Sequence, residues 1–260
     1  MRLTKLFKNV GVNLLATAAL ITTSFTASAS STADIASKRD ISAKLQSIVP
    51  FKVLEVNSHE TNLYEIVTDK GIFYATKDAK HLFSGSIHQF ENGLPNVTEM
   101  KKQQFASKMI NVLRPTFITY KAPQEKHEVI AFFDSSCGFC QKMHNEISRY
   151  NAMGITVHYA LYPRSGLKDR AGNPARSAID LTNVACSNNP NLAMNRLMQS
   201  GQSTPANCNS PVPKHYDLGQ WLNVRGTPMT FNMQGQVVMN GYAPANTMLK
   251  ALETGNYNQR

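Results

Sequence analysis

The chain has 260 residues, of which 42% are hydrophobic and 17% charged, and a formal net charge of +10. That length suffices for one large domain or two modest ones, each with its own core. Lys and Arg are dispersed among Asp and Glu with no basic run interleaved with aromatics, so nucleic-acid binding is not read from the charge; a mildly basic surface is.

The first 29 residues are organised as an export signal. Arg2, Lys5 and Lys8 make a positive segment, Val10 to Thr22 an apolar one, and Ala27-Ser28-Ala29 a small-residue cleavage site. The apolar run is too short to span a bilayer, and no later stretch is long or apolar enough. Residues 1–29 are therefore expected to be a cleaved signal peptide. The mature chain would start near Ser30, carry a net charge of +7 and fold in an oxidising compartment.

Residues 31–95 read as a small strand-rich region. Ile41, Leu45, Ile48 and Val49 fall on one face of a short helix. Val53 to Val56, Leu63 to Val67 and Gly71 to Ala75 are β-rich and turn-bounded, with Asp69-Lys70-Gly71 as a hairpin turn and a further short strand within His81 to Ile87. A region this small is marginal alone and calls for a partner surface. Residues 96–114 read as one helix. Asn96 caps it, Glu99 occupies the N3 position, Phe105, Met109, Val112 and Leu113 form its apolar stripe, and Pro115 stops it. The pattern leaves open whether this helix is a rigid connector or part of a core.

Residues 116–260 alternate strands and helices. Val129 to Phe133 is a buried-strand run, Met143, Ile147 and Tyr150 mark a helix face, and Ile155, Val157, Tyr159 and Leu161 alternate as the next strand. That unit predicts a parallel pair with a right-handed crossover. Helices are expected from Pro174 toward Cys186, over Leu192 to Met198 and over His215 to Leu222. A hairpin of Met229 to Phe231 with Val237 to Met239 follows, then a last helix from Pro244 to Gly255. Strand–helix–strand, helical insertion, hairpin and helix make a thioredoxin-like order of mixed α+β and α/β class.

Cys137-Gly138-Phe139-Cys140 lies where the first strand of that region meets its helix. A helix N-terminus stabilises a thiolate, which is the nucleophile, so Cys137 is expected to attack a substrate disulfide. Cys140, one turn further in, would resolve the mixed disulfide. The uncharged Gly138-Phe139 spacer points to reductase or isomerase chemistry rather than strong oxidation. Zinc would need a further pair of ligands; His144 completes C-x2-C-x3-H but no fourth ligand is visible. Covalent haem would need histidine where Gln141 stands. No metal and no cofactor is expected.

Cys186 and Cys208 read as a structural disulfide, with a second redox centre as the alternative. Gly226-Thr227-Pro228 precedes a strand. Composition alone favours a trans turn there, but the thioredoxin-like order argues for a cis-proline beside the dithiol, where the Thr227 backbone can pair with an extended substrate. Asp134 either takes a proton from Cys140 or caps a turn, the latter being favoured. Arg164, Lys168 and Arg170 read as solvated charges, and His158 as a packed or surface histidine.

These segments together resemble the DsbC/DsbG family of periplasmic disulfide isomerases. The likeness runs through Tyr120-Lys121-Ala122-Pro123-Gln124-Glu125-Lys126-His127, the Cys137–Cys140 motif and Tyr150-Asn151-Ala152-Met153-Gly154-Ile155-Thr156-Val157. It continues in Tyr162-Pro163-Arg164, the spacing of Cys186 and Cys208, His215-Tyr216, Gly226-Thr227-Pro228 and Gly241-Tyr242. The resemblance implies a V-shaped homodimer, with residues 31–95 as dimerisation domain, 96–114 as linker helix and 116–260 as thioredoxin-like catalytic domain. It also implies chaperone activity in a cleft that holds misfolded proteins, and a membrane reductase of the DsbD type as partner. Carried onto this sequence, Cys137 attacks, Cys140 resolves, Thr227-Pro228 forms the cis-proline loop and Cys186–Cys208 is the structural bond. Two departures stand out: Phe139 replaces the family's usual tyrosine, and the segment from Arg164 to Ala185 is a few residues longer than usual. The rival readings are a net dithiol oxidase and a disulfide-bearing holdase.

Overall fold

Four short β-rich runs between residues 53 and 84 cannot bury a face singly, and they pair into one antiparallel sheet covered by a helix. The computed structural model describes residues 32–257 with the exception of Asn92; the export signal read at residues 1–29 lies outside the described residues. Helix α1 (Thr32–Ile48) packs on β1 (Val53–Ser58), β2 (Leu63–Thr68), β3 (Gly71–Thr76) and β4 (Leu82–Ser84), which lie in that order. Ile41, Tyr64, Ile66 and Ala75 form the core, with Leu45, Val53, Val56 and Phe73 against it. Ile48 departs from the expected face. It is the last residue of α1 and 69% exposed, and the half-buried Val49 follows it as the chain leaves the helix.

Thr68 pairs with Gly71 across the two-residue turn Asp69-Lys70. Gly71 has φ +127°, a backbone conformation that a side chain would strain. The Thr68 hydroxyl donates to the Gly71 carbonyl at 2.8 Å and accepts from the Lys70 N–H at 3.0 Å, which closes the turn.

Helix α2 (Val97–Leu113) starts as its sequence dictates: the Asn96 side chain accepts from the Glu99 N–H at 2.9 Å. Its buried apolar residues, however, are Phe105, Ala106, Ile110 and Leu113, while Val112 is 72% exposed. The reason is that α2 serves two cores. Phe105 packs with Val67, Ile72, Tyr74 and Trp221. Ile110 and Leu113 join Phe117, Ile130, Phe132, Leu218 and Phe231. A residue chosen by a single stripe need not face either.

A 3-10 turn, Arg114–Thr116, carries Pro115 and leads into β5 (Ile118–Tyr120), a strand that the sequence pattern did not announce. The second sheet has the order β5-β7-β6-β8-β9. Strands β6 (His127–Phe133) and β7 (Ile155–Leu161) are parallel; β5, β8 (Met229–Phe231) and β9 (Val237–Asn240) run antiparallel to their neighbours. All seven residues of β7 are buried rather than alternate ones. That strand has β5 and β6 as neighbours, and helices α4 (Ile147–Ala152) and α7 (Val212–Trp221) pack against it.

The expected helix after the dithiol is two: α3 (Gly138–Asn145) and α4, broken at Glu146 with φ −100° and ψ 7°. Helices α5 (Arg176–Ala185) and α6 (Pro190–Ser200) form the insertion, and α8 (Ala245–Thr254) closes the fold. The β8–β9 turn holds Gly235 at φ +80°, and a Cβ there would stand 2.9 Å from the Ala106 Cβ, so the turn sits directly on α2. Among the described residues no helix is long and apolar enough to cross a membrane.

Candidate active site

The site is assembled at the C-terminal end of β6. The strand's last residues, Phe132 and Phe133, are fully buried, and the chain turns at Asp134 to enter α3. The Cys137 N–H donates to the Asp134 carbonyl at 3.1 Å, and the Cys137 carbonyl accepts from the Gln141 N–H at 3.0 Å. Cys137 is thus the N-cap residue of α3, with extended backbone at φ −94° and ψ 116°. Cys140 lies in the first helical turn and is fully buried. Both thiols are free.

The segment before β8 approaches from the other side. Its Thr227–Pro228 bond is cis. The Cys137 Sγ stands 3.0 Å from the Thr227 carbonyl oxygen, to which it donates when protonated, so Thr227-Pro228 lies against the dithiol although 90 residues separate the two in sequence.

The two cysteines differ in acidity. The hydrogen bond from Cys140 is the largest influence on Cys137 and lowers its thiol pKa; burial opposes it, while Thr227 and the N–H groups of Cys140 and Phe139 add to the lowering, giving about 5. Burial pushes Cys140 far up, and its bond to Cys137 pushes it further. Cys137 is therefore a thiolate at neutral pH and Cys140 a protonated donor to it.

Gly138 is exposed, and a Cβ on it would meet nothing within 4 Å. Phe139 is 63% exposed and stacks on Tyr242 at 6.5 Å between ring centroids, with Lys142 Nζ 4.6 Å from the Tyr242 ring. The side chain at position 139 thus faces outward, and only its backbone N–H acts on Cys137.

Asp134 is buried but fully engaged. Oδ1 accepts from the Ser136 N–H at 2.8 Å, the Ser136 hydroxyl at 2.9 Å and the Ser177 hydroxyl at 2.6 Å; Oδ2 accepts from the Arg164 N–H at 2.9 Å and Nε at 3.3 Å. Burial opposes ionisation, but the hydrogen bonds of Ser177, Ser136 and Arg164 outweigh it and hold the carboxyl below its usual pKa. Of the two roles open to Asp134, capping the turn is the one its contacts serve. Ser177 carried no sequence signal, since it lies 43 residues away on α5, whereas Ser136 lies two residues after Asp134 and closes a local Asp turn.

Arg164 is tied to Asp134 rather than to sulfur. Lys168 and Arg170 lie in a loop closed by the Lys168–Pro174 bridge and by Asp169, whose carboxylate accepts from the Ala171 and Asn173 N–H groups. His144 is buried beside the Tyr159 hydroxyl at 3.3 Å, and burial lowers its pKa. Among the described residues no group of three or more His, Cys, Asp or Glu stands together as a metal site. His158 is buried, between the Thr119 hydroxyl at 2.8 Å and Glu128 at 3.4 Å.

Cys186 and Cys208 are bonded, with a Cα–Cα separation of 5.4 Å. The bond closes a strap over α5, where Ser203 donates to Asp180 and accepts from Asn183, and the Asn183 side chain accepts from the Ala206 N–H.

The comparisons agree with this architecture. A thioredoxin-like domain model matches residues 113–256, and the model of the disulfide bond isomerase protein N-terminal domain matches residues 26–99. The thiol:disulfide interchange protein DsbC of Dickeya dadantii is 36% identical over 189 residues, covering 72% of this chain and 75% of that protein. The DsbC of Escherichia coli is 35% identical over the same shares. Among solved structures, a disulfide interchange protein from Neisseria gonorrhoeae superposes with a TM-score of 0.46 at 21% identity, covering 55% of this chain and 98% of that one. By the two domain models and the identity to the DsbC relatives, the chain belongs to the DsbC family of thiol:disulfide interchange proteins, with a thioredoxin-like domain and a DsbC-type N-terminal domain.

Proposed function

We propose that the chain is a periplasmic disulfide isomerase and reductase that acts on misfolded exported proteins, with Cys137 as attacking thiol and Cys140 as resolving thiol. The observation that carries the reading is the reduced pair at the start of α3, where Cys137 is acidic, at about 5, and Cys140 is buried and protonated.

The chemistry follows from that asymmetry. The Cys137 thiolate attacks a substrate disulfide; a new S–S bond forms to Cys137, and the other substrate sulfur leaves as thiolate. That thiolate can attack elsewhere in the substrate and expel Cys137, which completes isomerisation. Otherwise Cys140 gives up its proton and displaces the substrate, leaving it reduced and Cys137–Cys140 oxidised. An acidic Cys137 is also a good leaving group, which aids both exits. The oxidised pair then needs an external dithiol, for which a DsbD-type membrane reductase is the partner. The Thr227 carbonyl, 3.0 Å from the Cys137 sulfur, is a backbone group that an extended substrate segment can pair with in β-fashion.

In this reading residues 31–95 dimerise, α2 links, and residues 116–260 carry out exchange. Strand β4 supports the dimer: among the described residues it pairs only with β3 and ends the sheet, and it leaves Leu82 and Phe83 exposed by 42% and 48%. A cleft between two such chains would hold an unfolded client and give chaperone activity.

One observation favours net oxidation as a second reading. A thiolate stabilised in the reduced state makes the oxidised pair a stronger oxidant, against what the neutral Gly138-Phe139 spacer suggests. Refolding of a scrambled multi-disulfide substrate tests the proposal. Wild type should restore activity, Cys137→Ala should not, and Cys140→Ala should accumulate mixed disulfides. Full activity of Cys137→Ala would sink the isomerase reading and leave a holdase; net disulfide formation in a reduced substrate without reshuffling would favour the oxidase.

A further inference from the structure

The turn that presents Cys137 has one carboxylate beneath it, and that carboxylate gathers three separate segments. Asp134 accepts five hydrogen bonds: two from Ser136 in the turn itself, two from Arg164 in the β7–α5 loop and one from Ser177 in α5. Its side chain is 1% exposed, while that of Arg164 is 45% exposed. Its own carbonyl holds the Cys137 N–H. Such a group cannot also serve as base for Cys140, because its lone pairs are committed and its charge is matched by Arg164.

We propose that Asp134 is a positioning residue for Cys137: its ionised carboxylate fixes the 134–137 turn and locks the Arg164 loop and α5 onto it, and this sets where the Cys137 sulfur sits between Thr227 and the α3 N-terminus. The sulfur gains its stabilisation chiefly from the Cys140 thiol and the N–H groups of Cys140 and Phe139, all of which depend on its place over the helix start. Relaxing the turn moves the sulfur off these donors. The charged and titratable groups facing the turn are Arg164, Cys137 and Cys140; Asp180, further along α5, is turned to Arg176 and Ser203.

The sign of the effect separates positioning from simple electrostatics. A carboxylate acting through space disfavours a nearby thiolate, so its removal would lower the Cys137 pKa. A carboxylate acting by position favours the thiolate, so its removal raises it. The inference rests on Cys137 being the attacking thiol.

The test is the pH dependence of iodoacetamide alkylation of the reduced protein, with the modified cysteine identified by peptide mapping. Asp134→Asn should move the Cys137 midpoint upward by about one unit, a roughly tenfold change in the ionisation constant. Arg164→Gln should move it the same way by less. A midpoint that is unchanged or lowered in Asp134→Asn overturns the proposal. If Asp134→Asn does not fold, the double variant Ser136→Ala, Ser177→Ala decides, since it keeps the carboxylate and removes two hydroxyl clamps; an unmoved midpoint there overturns it equally. Preferential labelling of Cys140 in wild type would instead refute the attacking-thiol assignment, so the two failures are distinct.

Discussion

Cys137 and Cys140 are three residues apart, yet one is ionised and the other is not, because one caps a helix and the other is inside it. The sequence motif shows the pair and which cysteine meets the helix N-terminus; the size of the difference comes from burial of Cys140 and its bond to Cys137. Alkylation of Cys137 should be half-maximal near pH 5, and Phe139→Tyr should leave that midpoint in place, since the ring faces solvent and Tyr242; a shifted midpoint would show that the ring reaches the sulfur. The linkage has a definite sign. The folded pKa of Cys137 lies below the unfolded value, so the contribution of Cys137 to the reduced fold is complete above its unfolded pKa of 9.0 and is lost as pH falls through about 5; the raised pKa of Cys140 acts in the opposite direction above 9.0. His215 gives a second residue-scale prediction. Its Nδ1 accepts from the Leu161 N–H at 3.1 Å and its Nε2 therefore donates to the Thr116 hydroxyl at 2.8 Å, and burial lowers its pKa from 6.5 to about 3. Below pH 6.5 the unfolded chain takes a proton that the native one refuses, which costs up to about 1.4 kcal/mol per pH unit down to the folded value. Urea midpoints should fall from pH 7 to pH 4 in wild type and fall less steeply in His215→Gln.

Helix α2 shows where periodicity stops being informative at the level of an element. Its cap, start and stop were readable from Asn96, Glu99 and Pro115, because these act within one turn. Its buried face was readable in part: Phe105, Met109 and Leu113 pack inward as the stripe predicts, but Val112 is exposed and Ile110 is buried, because the face is divided between the Phe105–Trp221 cluster and the Ile110–Phe132 cluster. Ile110→Ala should therefore cost about 2–5 kcal/mol, and Val112→Lys less than about 0.5 kcal/mol, in urea unfolding. Equal losses would contradict the packing. Strand β5 escaped notice for a related reason. Three residues are too few for an alternation, and it is a strand only because β7 offers it an edge.

For the whole molecule the exposed β4 edge is the feature with the largest consequence. A terminal strand carrying Leu82 and Phe83 invites pairing with a second chain. Leu82→Lys with Phe83→Lys should yield a monomer in analytical ultracentrifugation that keeps the Cys137 alkylation profile and loses isomerase and chaperone activity together. A variant that stays dimeric would place the interface elsewhere. The sequence by itself determined the dithiol, the strand–helix order around it, the capped helix and the family likeness, since each is written in residues a few positions apart. Only the tertiary structure decided that the Thr227 carbonyl stands 3.0 Å from the Cys137 sulfur, that Asp134 is consumed by Arg164, Ser136 and Ser177, and that α2 divides its buried face between two cores. The longest of these contacts join residues 30 to 90 positions apart, and local spacing holds no record of them.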